Sequence, residues 1–221
     1  MDKEKHSLIY SRHINELIYK LIPKNKKILD VGCNTGNLGE KLIKEKNCEV
    51  WGIDYSKEAI KLAKKRLTQT KVFDLETYKI PFPKEKFDII IFADVLEHLR
   101  YPEEILKKFS NMLNESGLVF TSIPNIANIK IRFNLLLGKW DYQEEGILDK
   151  THLRFFTKKT IRSLFRNSGY RIIEMDSTPG FKFFVLRYFK FLLKIQETLC
   201  KIYPKLFALQ FIVIAKKNKL F

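Results

Sequence analysis

The chain has 221 residues, of which 45% are hydrophobic and 13% aromatic. This composition excludes a disordered chain and is enough to bury the core of one α/β domain. The formal net charge is +16, which favours an anionic partner such as nucleic acid, an acidic membrane surface or a phosphorylated substrate, although a genome biased towards Lys would account for part of it.

The cysteines and the hydropathy indicate the cellular setting. Cys33, Cys48 and Cys200 match neither a metal-binding pattern nor a disulfide framework, so we expect a reducing cytosol. The first residues carry no apolar leader, and no uncharged apolar run of about 18 residues occurs. We therefore expect a cytoplasmic protein that is neither secreted nor membrane-spanning.

The first two elements are a helix and a strand that ends in a glycine loop. Apolar residues recur at helical spacing over Lys5–Ile22, and Pro23 ends that helix. Lys27–Leu42 is then predicted to form a buried strand, a tight loop with Gly32 and Gly36, and a second helix, an arrangement typical of nucleotide-like cofactor sites. Asp30 precedes the loop and would repel a pyrophosphate, so the pattern favours S-adenosylmethionine, which carries an ammonium and a sulfonium.

Two further strands carry acids at their ends. Glu49–Ser56 is predicted to be a strand that ends at Asp54, where a carboxylate can accept hydrogen bonds from both hydroxyls of a ribose. The alternative is a plain helix-terminal acid, because Ser56 is placed to cap a helix over 57–66. A brief third strand over 71–73 follows, and after it comes Asp74, for which a simple turn is the alternative role.

The most strand-like stretch, Phe87–Asp94, is predicted to be the central strand beside the first one. The string that follows, Asp94–Leu99, would lie at the carboxyl edge of the sheet, where open α/β folds bind ligands. A helix over 102–113, a turn over 114–117 and a fifth strand over 118–123 complete this part. The next segment, 124–156, is interpreted as a lid over an acceptor substrate, and Thr157 is predicted to cap a helix that Gly169 closes.

The last two strands, 170–175 and 208–215, are predicted to pair antiparallel at one side of the sheet. An amphipathic helical insertion, residues 179–206, interrupts their hairpin and carries a basic stripe on a broad apolar surface. Membrane-interface seating, a homodimer contact and burial in the chain's own core all remain open for it. Its aromatic residues lie away from the charges, so nucleic acid is the less favoured partner. The stripe consists of Arg187, Lys190, Lys194, Glu197 and Lys201.

Three motifs together resemble class I S-adenosylmethionine-dependent methyltransferases. The glycine loop is similar to their first motif, Asp-x-Gly-x-Gly-x-Gly, except that Asn34 replaces the middle glycine. Asparagine tolerates left-handed backbone, so we expect cofactor binding to survive. Asp94–Leu99 resembles the fourth motif of ubiquinone-biosynthesis methyltransferases, and Asp149–Thr157 resembles methyltransferases linked to cell-surface glycan and lipid-linked saccharide assembly. The resemblance covers about Leu8 to Ser177.

The resemblance implies a set of cofactor contacts. The leading helix would cap the cofactor pocket with Tyr10, while Asp74 and the backbone of Leu75 would meet the adenine. The full set of cofactor-binding residues is Asp30, Gly32, Cys33, Asn34, Gly36, Asp54, Tyr55, Asp74, Leu75 and Asp94.

The acceptor side rests on two histidines and one arginine. His152 is the candidate catalytic base, because an imidazole takes a hydroxyl proton near neutral pH, and Arg154 and His98 are the candidate substrate-binding residues. His152 and Arg154 would otherwise only tie the lid to the sheet. Some related branches ligate magnesium through a Glu-x-x-Glu-His pattern and a later histidine, which Asp94, Glu97, His98 and His152 would imitate. We favour the interpretation without a metal.

The sequence thus predicts a single methyltransferase domain over 1–221, with a Rossmann-like seven-stranded mixed sheet, its last strand antiparallel, and helices on both faces. It would transfer the methyl group of S-adenosylmethionine, by O-methylation of a small, glycan or lipid-linked acceptor, and peripheral seating on the membrane is one expectation for its location. The alternatives are a nucleic-acid methyltransferase, with or without assistance by magnesium, and a non-catalytic cofactor-binding partner protein.

Overall fold

A computed structural model describes residues 14–77, 79–179 and 190–218. Its sheet has seven strands in the order β3-β2-β1-β4-β5-β7-β6. Neighbouring strands from β3 to β5 pair in parallel, whereas β7 is antiparallel to both β5 and β6, as the sequence predicts. The strands are β1 Lys27–Val31, β2 Glu49–Asp54, β3 Gln69–Val72, β4 Phe87–Ala93, β5 Leu113–Pro124, β6 Tyr170–Pro179 and β7 Ala208–Lys217.

Helices cover both faces of the sheet because side chains of the buried parallel strands alternate between two cores. Leu29 and Phe92 belong to one core together with α4 and α6, whereas Ile28 and Ile91 belong to the other with α1, α2 and α3. The helices are α1 Glu16–Leu21, α2 Asn37–Lys46, α3 Lys57–Ala63, α4 Pro102–Ser110, α5 Ile129–Leu136, α6 Lys158–Asn167, α7 Lys190–Ile202 and α8 Pro204–Phe207.

Several boundaries differ from the predicted ones. The third strand starts two residues earlier, and the helices after Ser56 and Tyr101 end three residues early. The turn predicted over 114–117 lies inside β5, where the register with β4 jumps from Phe87↔Leu113 to Ile89↔Leu118. The extra residues on β5 therefore form a bulge rather than a connection between two elements. Helix α5, inside the segment 124–156, was not predicted.

The predicted leading helix and the predicted helical insertion both lie partly outside the described residues. Of the leading helix, Glu16–Leu21 is described, and Tyr10 lies outside the described residues. Of the insertion, α7 and α8 are described, but Arg187 is not, and neither are the side chains of residues 190–193. Cys200 of α7 packs into the core, where its sulfur lies 3.4 Å from the Ser177 hydroxyl on β6. Within the described ranges, no helix combines the length and apolarity needed to cross a bilayer.

Candidate functional site

The loop after β1 has the left-handed backbone that its glycines indicate. Gly32, Asn34 and Gly36 all have positive φ, of 72°, 48° and 82°. A Cβ atom on Gly32 would lie 2.6 Å from Cγ2 of Val95, so only glycine lets the two loops approach this closely. The prediction that Asn34 adopts the conformation of the missing glycine is confirmed. The backbone of residues 32–36 therefore forms a curved loop, which we call the cradle.

Asp54 joins the end of β2 to this cradle. One of its carboxylate oxygens accepts the Asn34 backbone N–H at 2.9 Å, and the other accepts the Ser56 N–H at 2.9 Å. Burial raises the pKa of Asp54, while these backbone donors oppose the rise. Ser56, not Asp54, caps α3 through its hydroxyl, which accepts the Ala59 N–H. The Ser56 cap on which the alternative role of Asp54, a helix-terminal acid, depends is therefore observed. The ribose role of Asp54 stays a prediction.

Asp30 lies beneath the cradle on β1 and is 3% exposed. Burial, together with the charge of Asp54, raises the pKa of Asp30 to about 7. A carboxyl in this state is half neutral at physiological pH, and a neighbouring cation would favour its charged form. The contact of Asp30 with a cationic ligand, which the sequence suggests, stays a prediction.

The remaining predicted cofactor residues surround the cradle at different depths. Cys33 is buried beneath it, whereas Tyr55 is 54% exposed at its rim. Asp74 is exposed and forms a turn in which its carboxylate accepts the Glu76 N–H at 2.9 Å. The carbonyl of Leu75 accepts a hydrogen bond from the Lys108 ammonium at 2.8 Å. The turn interpretation of Asp74 is thus observed, and an adenine contact there remains a prediction.

Asp94 follows β4 with a left-handed backbone, at φ 54°. Its N–H donates to the Ser122 hydroxyl at 3.0 Å, and its carboxylate accepts the side-chain amide of Gln210 at 2.6 Å. Burial raises the pKa of Asp94 to about 6. Sequence reasoning missed both partners. Gln210 is 116 residues away on β7, and no local pattern indicates that contact.

Glu97 lies in the 3-10 turn Leu96–His98 and is 1% exposed. Neither of its carboxylate oxygens has a hydrogen-bond partner among the described residues. Burial, followed by the charge of Asp94, raises the pKa of Glu97 well above its ordinary value. Its backbone carbonyl accepts the N–H groups of Leu153 and Arg154, both at 2.9 Å, which fastens the turn to the segment 124–156.

Two histidine rings lie beside this carboxylate, with the centroids of His98 and His152 4.7 Å apart. His152 is 8% exposed, and its Nδ1 lies 3.0 Å from the Ile147 carbonyl, which can only accept. Nδ1 of His152 therefore carries the proton, and Nε2 is the basic nitrogen of the neutral ring. His98 Nδ1 lies 3.0 Å from the Thr151 hydroxyl, which itself donates to buried Asp149 at 2.7 Å, so His98 has the same tautomer.

Glu97, His98 and His152 also form the arrangement that suits a divalent cation. One ligand atom from each of these residues lies within 4.8 Å of the other two. Imidazole and carboxylate are common ligands of such ions, and the hydrogen bonds to Ile147 and Thr151 would orient the two rings. Asp94 is not part of this cluster, because its carboxylate bonds to Gln210. The sequence grouped Asp94 with these three residues, and the structure brings only Glu97, His98 and His152 together.

Arg154 lies outside the cluster, at the exposed end of the same segment. Its guanidinium donates through Nε and Nη2 to the Arg100 carbonyl, at 3.0 and 2.7 Å. This contact ties the segment to the loop after the 3-10 turn, which was the alternative role for Arg154. Three of the five guanidinium N–H groups are not used by that carbonyl, and an anionic acceptor group in front of the loop would meet them.

A groove of about 480 Å³ lies away from this edge of the sheet. Its lining includes Tyr170 at the start of β6, which marks the amino end of the parallel strands, together with Arg162, Arg166 and Arg171. Part of the positive charge of the chain is therefore concentrated opposite the predicted catalytic edge.

Comparison with known proteins agrees with this geometry. The model of a family described as a methyltransferase domain matches residues 4–175. A ubiquinone biosynthesis O-methyltransferase of Pelagibacter ubique is 34% identical over 169 residues, covering 70% of this chain and 69% of that protein. A protein of the same name from Neisseria meningitidis serogroup C is 25% identical over 171 residues, covering 74% of this chain and 70% of its own length.

Solved structures share the fold. A SAM-dependent methyltransferase from Archaeoglobus fulgidus has a TM-score of 0.64 at 20% identity and covers 97% of this chain and 96% of its own. A putative methyltransferase in a complex with the Haloferax volcanii Trm112 activator has a TM-score of 0.69 at 14% identity, with coverage of 97% and 94%. The chain therefore belongs to the class I S-adenosylmethionine-dependent methyltransferases, in the branch of the ubiquinone biosynthesis O-methyltransferases, and S-adenosylmethionine is its cofactor.

Proposed function

We propose that this methyltransferase methylates a hydroxyl oxygen of a small, glycan or lipid-linked acceptor, with His152 as the base. The observation that carries this proposal is the fixed tautomer of a buried imidazole. The Ile147 carbonyl holds the proton on Nδ1 of His152, so Nε2 can accept the proton of a hydroxyl group. The relatives from Pelagibacter ubique and Neisseria meningitidis are named O-methyltransferases, which supports oxygen as the acceptor atom.

The residues of the cofactor side fit S-adenosylmethionine. Asp54 would accept hydrogen bonds from the ribose, and Asp30 would attract the ammonium and sulfonium charges. Gly32 has no Cβ, so its backbone lies directly against Val95 and keeps the left-handed conformation of the loop that would hold the ligand. The cofactor supplies an activated methyl group, whose bond to sulfur breaks as the new bond to oxygen forms. The protein then has to align the acceptor, exclude water and remove one proton.

The segment 124–156 would serve as the acceptor lid. Ile147 and Leu148 are buried, and the Leu153 and Arg154 N–H groups bond to the turn that carries Glu97 and His98. These contacts hold the segment beside Glu97 and His98, where it would help to keep water out during transfer. Glu97 and His98 would then bind the acceptor, and Arg154 would hold an anionic group on it.

A methyl-labelled cofactor assay on lipid, glycan and RNA fractions of a cell extract tests this proposal. Label in the lipid or glycan fraction, with the mass of one added methyl group on an ether oxygen, is the expected result. Label that appears only in RNA and is lost after nuclease treatment would replace the proposal with the nucleic-acid alternative. Label on an amine would leave the enzyme class intact and overturn O-methylation.

A metal-assisted transfer is the second candidate, because the buried Glu97 carboxylate lies beside two histidines and has no hydrogen-bond partner in the part of the chain that the structure describes. A divalent cation bound by Glu97, His98 and His152 would neutralise this carboxylate and lower the pKa of an acceptor hydroxyl. Chelation decides between the candidates. The base mechanism predicts full activity in EDTA, whereas loss of activity that magnesium restores would assign the metal role to the cluster.

We also propose that the insertion seats the enzyme on an anionic membrane surface, which suits a lipid-linked acceptor. The described part of α7 and the residue after it expose Ile195, Leu199, Ile202 and Tyr203, by 39%, 38%, 66% and 63%. Lys194 and Lys201 on the same helix would each add about 1 kcal/mol near acidic headgroups. Burial of Cys200 against β6 shows that only part of α7 is available for such a contact.

Sedimentation with vesicles tests the membrane contact separately from methyl transfer. Binding to vesicles with acidic lipids, weakened in the variant with Lys194→Glu and Lys201→Glu, is the expected result. A protein that stays in the supernatant with acidic and neutral vesicles alike would exclude membrane seating. A mass that rises with protein concentration would then assign the exposed face to a second copy of the chain.

A further inference from the structure

Asp94 adopts a backbone conformation that most residues avoid. Its φ of 54° lies in the left-handed region, which is unfavourable for a residue with a side chain. Two contacts from distant strands compensate for this strain. Ser122 on β5 accepts the Asp94 N–H, and Gln210 on β7 donates to its carboxylate at 2.6 Å.

The conformation of Asp94 sets the direction of residues 95–98, which contact both the cofactor cradle and the acceptor cluster. The next residue, Val95, packs on Gly32 of the cofactor cradle, within 2.6 Å of where a Cβ would stand. The 3-10 turn that follows carries Glu97 and His98 into the acceptor cluster. A shift at Asp94 would therefore move a wall of the cofactor site and two residues of the acceptor site together.

Gln210 is itself held in place by the surrounding strands. It pairs with Pro124 on β5 and with Thr178 on β6. Just before it in the chain, the Ala208 carbonyl accepts hydrogen bonds from the side chains of buried Asn125 and Asn128, at 3.0 and 2.9 Å. The start of β7 is thus clamped to the end of β5, and the amide of Gln210 has little freedom to leave Asp94.

We propose that Gln210 is a positioning residue, which holds Asp94 in its left-handed conformation and thereby places Val95 against the cofactor cradle and Glu97 and His98 in the acceptor site. The inference rests on cofactor binding by this family and is independent of the acceptor and of the role of His152. It also makes β7, which runs antiparallel to its neighbours β5 and β6, a functional part of the site.

Three variants test the hydrogen bond without requiring an acceptor. Gln210→Leu removes the donor at nearly constant size, and Gln210→Glu places a second carboxylate against Asp94. Both should weaken binding of S-adenosylhomocysteine by about five- to tenfold in calorimetry and speed hydrogen exchange at residues 94–98. Asp94→Asn should keep the contact, since the asparagine oxygen can still accept from Gln210.

The reversed pair gives the decisive comparison. In the double variant Asp94→Asn with Gln210→Glu, the asparagine amide can donate to the new carboxylate, so affinity and exchange should return to within about twofold of Asp94→Asn alone. A fold defect in Gln210→Glu would not be repaired in this way. Gln196→Leu on α7 is the matched control, because its amide nitrogen has no partner in the described structure, and it should change neither measurement.

Two outcomes would overturn the proposal. Wild-type affinity and exchange in both Gln210→Leu and Gln210→Glu would show that the contact positions nothing. A double variant as weak as Gln210→Glu would show that the loss comes from packing on β7 and not from the bond to Asp94. If wild-type protein itself failed to bind S-adenosylhomocysteine, cofactor binding, and not Gln210, would be the assumption at fault.

Discussion

Asp54 and Glu97 are both buried acids at the carboxyl edge of the same sheet, but their surroundings differ. The carboxylate of Asp54 accepts two backbone N–H groups, from Asn34 and Ser56. The carboxylate of Glu97 has no hydrogen-bond partner among the described residues, although it is 1% exposed. The acid on the cofactor side is thus held in advance, whereas the acid on the acceptor side lacks a partner that a ligand can provide.

This difference follows from how the two sides are built. The cofactor side is formed by segments that are close together in the chain, namely the loop after β1 and the turn after β2, which meet because the two strands are neighbours. The acceptor side gathers the turn after β4, the segment 147–154 and β7, which are far apart in the chain. Substitutions on the two sides should therefore change stability and ligand binding differently, because a buried acid without a partner lowers the stability of the protein until a ligand binds.

The largest expected effect is on the acceptor side. His152→Ala should lower turnover by about a hundredfold or more, because the acceptor proton loses its base, while affinity for S-adenosylhomocysteine stays unchanged. Single-turnover assays and calorimetry measure the two quantities. Leu153→Ala is the control for disturbance of the segment 124–156, because the Leu153 side chain is exposed and its contact with Glu97 is made by the backbone N–H, and it should keep turnover. An equal loss of turnover and cofactor affinity in His152→Ala would mean that the two sides are not separable.

On the cofactor side, Asp54→Ala should weaken S-adenosylmethionine binding by about 1.5–3 kcal/mol, because charge-assisted hydrogen bonds to the ribose are lost. Asp54→Asn is the matched variant, since it keeps the size but removes the charge and one acceptor oxygen, and it should lose less. Calorimetry measures both. Unchanged affinity in Asp54→Ala would show that the ribose lies elsewhere and that Asp54 only ties the glycine loop to β2.

The pKa of Asp30, raised to about 7 by burial and by Asp54, predicts a pH effect on binding. The cofactor cation favours ionised Asp30, so affinity should fall as the pH drops from 8 to 6 and the carboxyl takes up its proton. Asp30→Asn should bind weakly at both pH values. Comparing wild type and variant at each pH by calorimetry removes the titration of the cofactor's own amine. A wild-type profile as flat as that of the variant would contradict the prediction.

The stability of the unliganded protein should change with pH in the direction opposite to that of cofactor affinity. The pKa of Asp30 is near 4 in the unfolded chain and about 7 in the folded one, so between these values the folded protein holds a proton that the unfolded chain has lost. The contribution of Asp30 to stability is therefore present below about pH 4 and is lost as the pH rises to about 7. In urea unfolding at pH 8, unliganded Asp30→Asn should be more stable than wild type.

The cofactor side and the sheet could be predicted from the sequence because their signals are local. Gly32 and Gly36 precede a helix, Ser56 caps another, and the β-branched run of β4 marks a buried strand. Two features of the acceptor side could not be predicted from the sequence: the contact between Asp94 and Gln210, and the burial of Glu97. Both depend on how distant segments of the chain pack. Helix α5 was missed because its last turn exposes apolar residues, Leu135 and Leu136 among them, so that no one-sided pattern marks it.

The smallest expected effect tests whether the cofactor cradle is made by backbone shape. Asn34 has a φ of 48°, a conformation that glycine adopts without strain, and its contact with Asp54 is made by the backbone N–H. Asn34→Gly should therefore leave affinity for S-adenosylhomocysteine within about twofold and change the free energy of unfolding by less than about 1 kcal/mol. Asn34→Ala should cost about 1 kcal/mol or more in urea unfolding, because alanine tolerates the left-handed region poorly. If Asn34→Gly lost more affinity than Asn34→Ala, the asparagine side chain itself would contact the cofactor, and the cradle would not be a purely backbone structure.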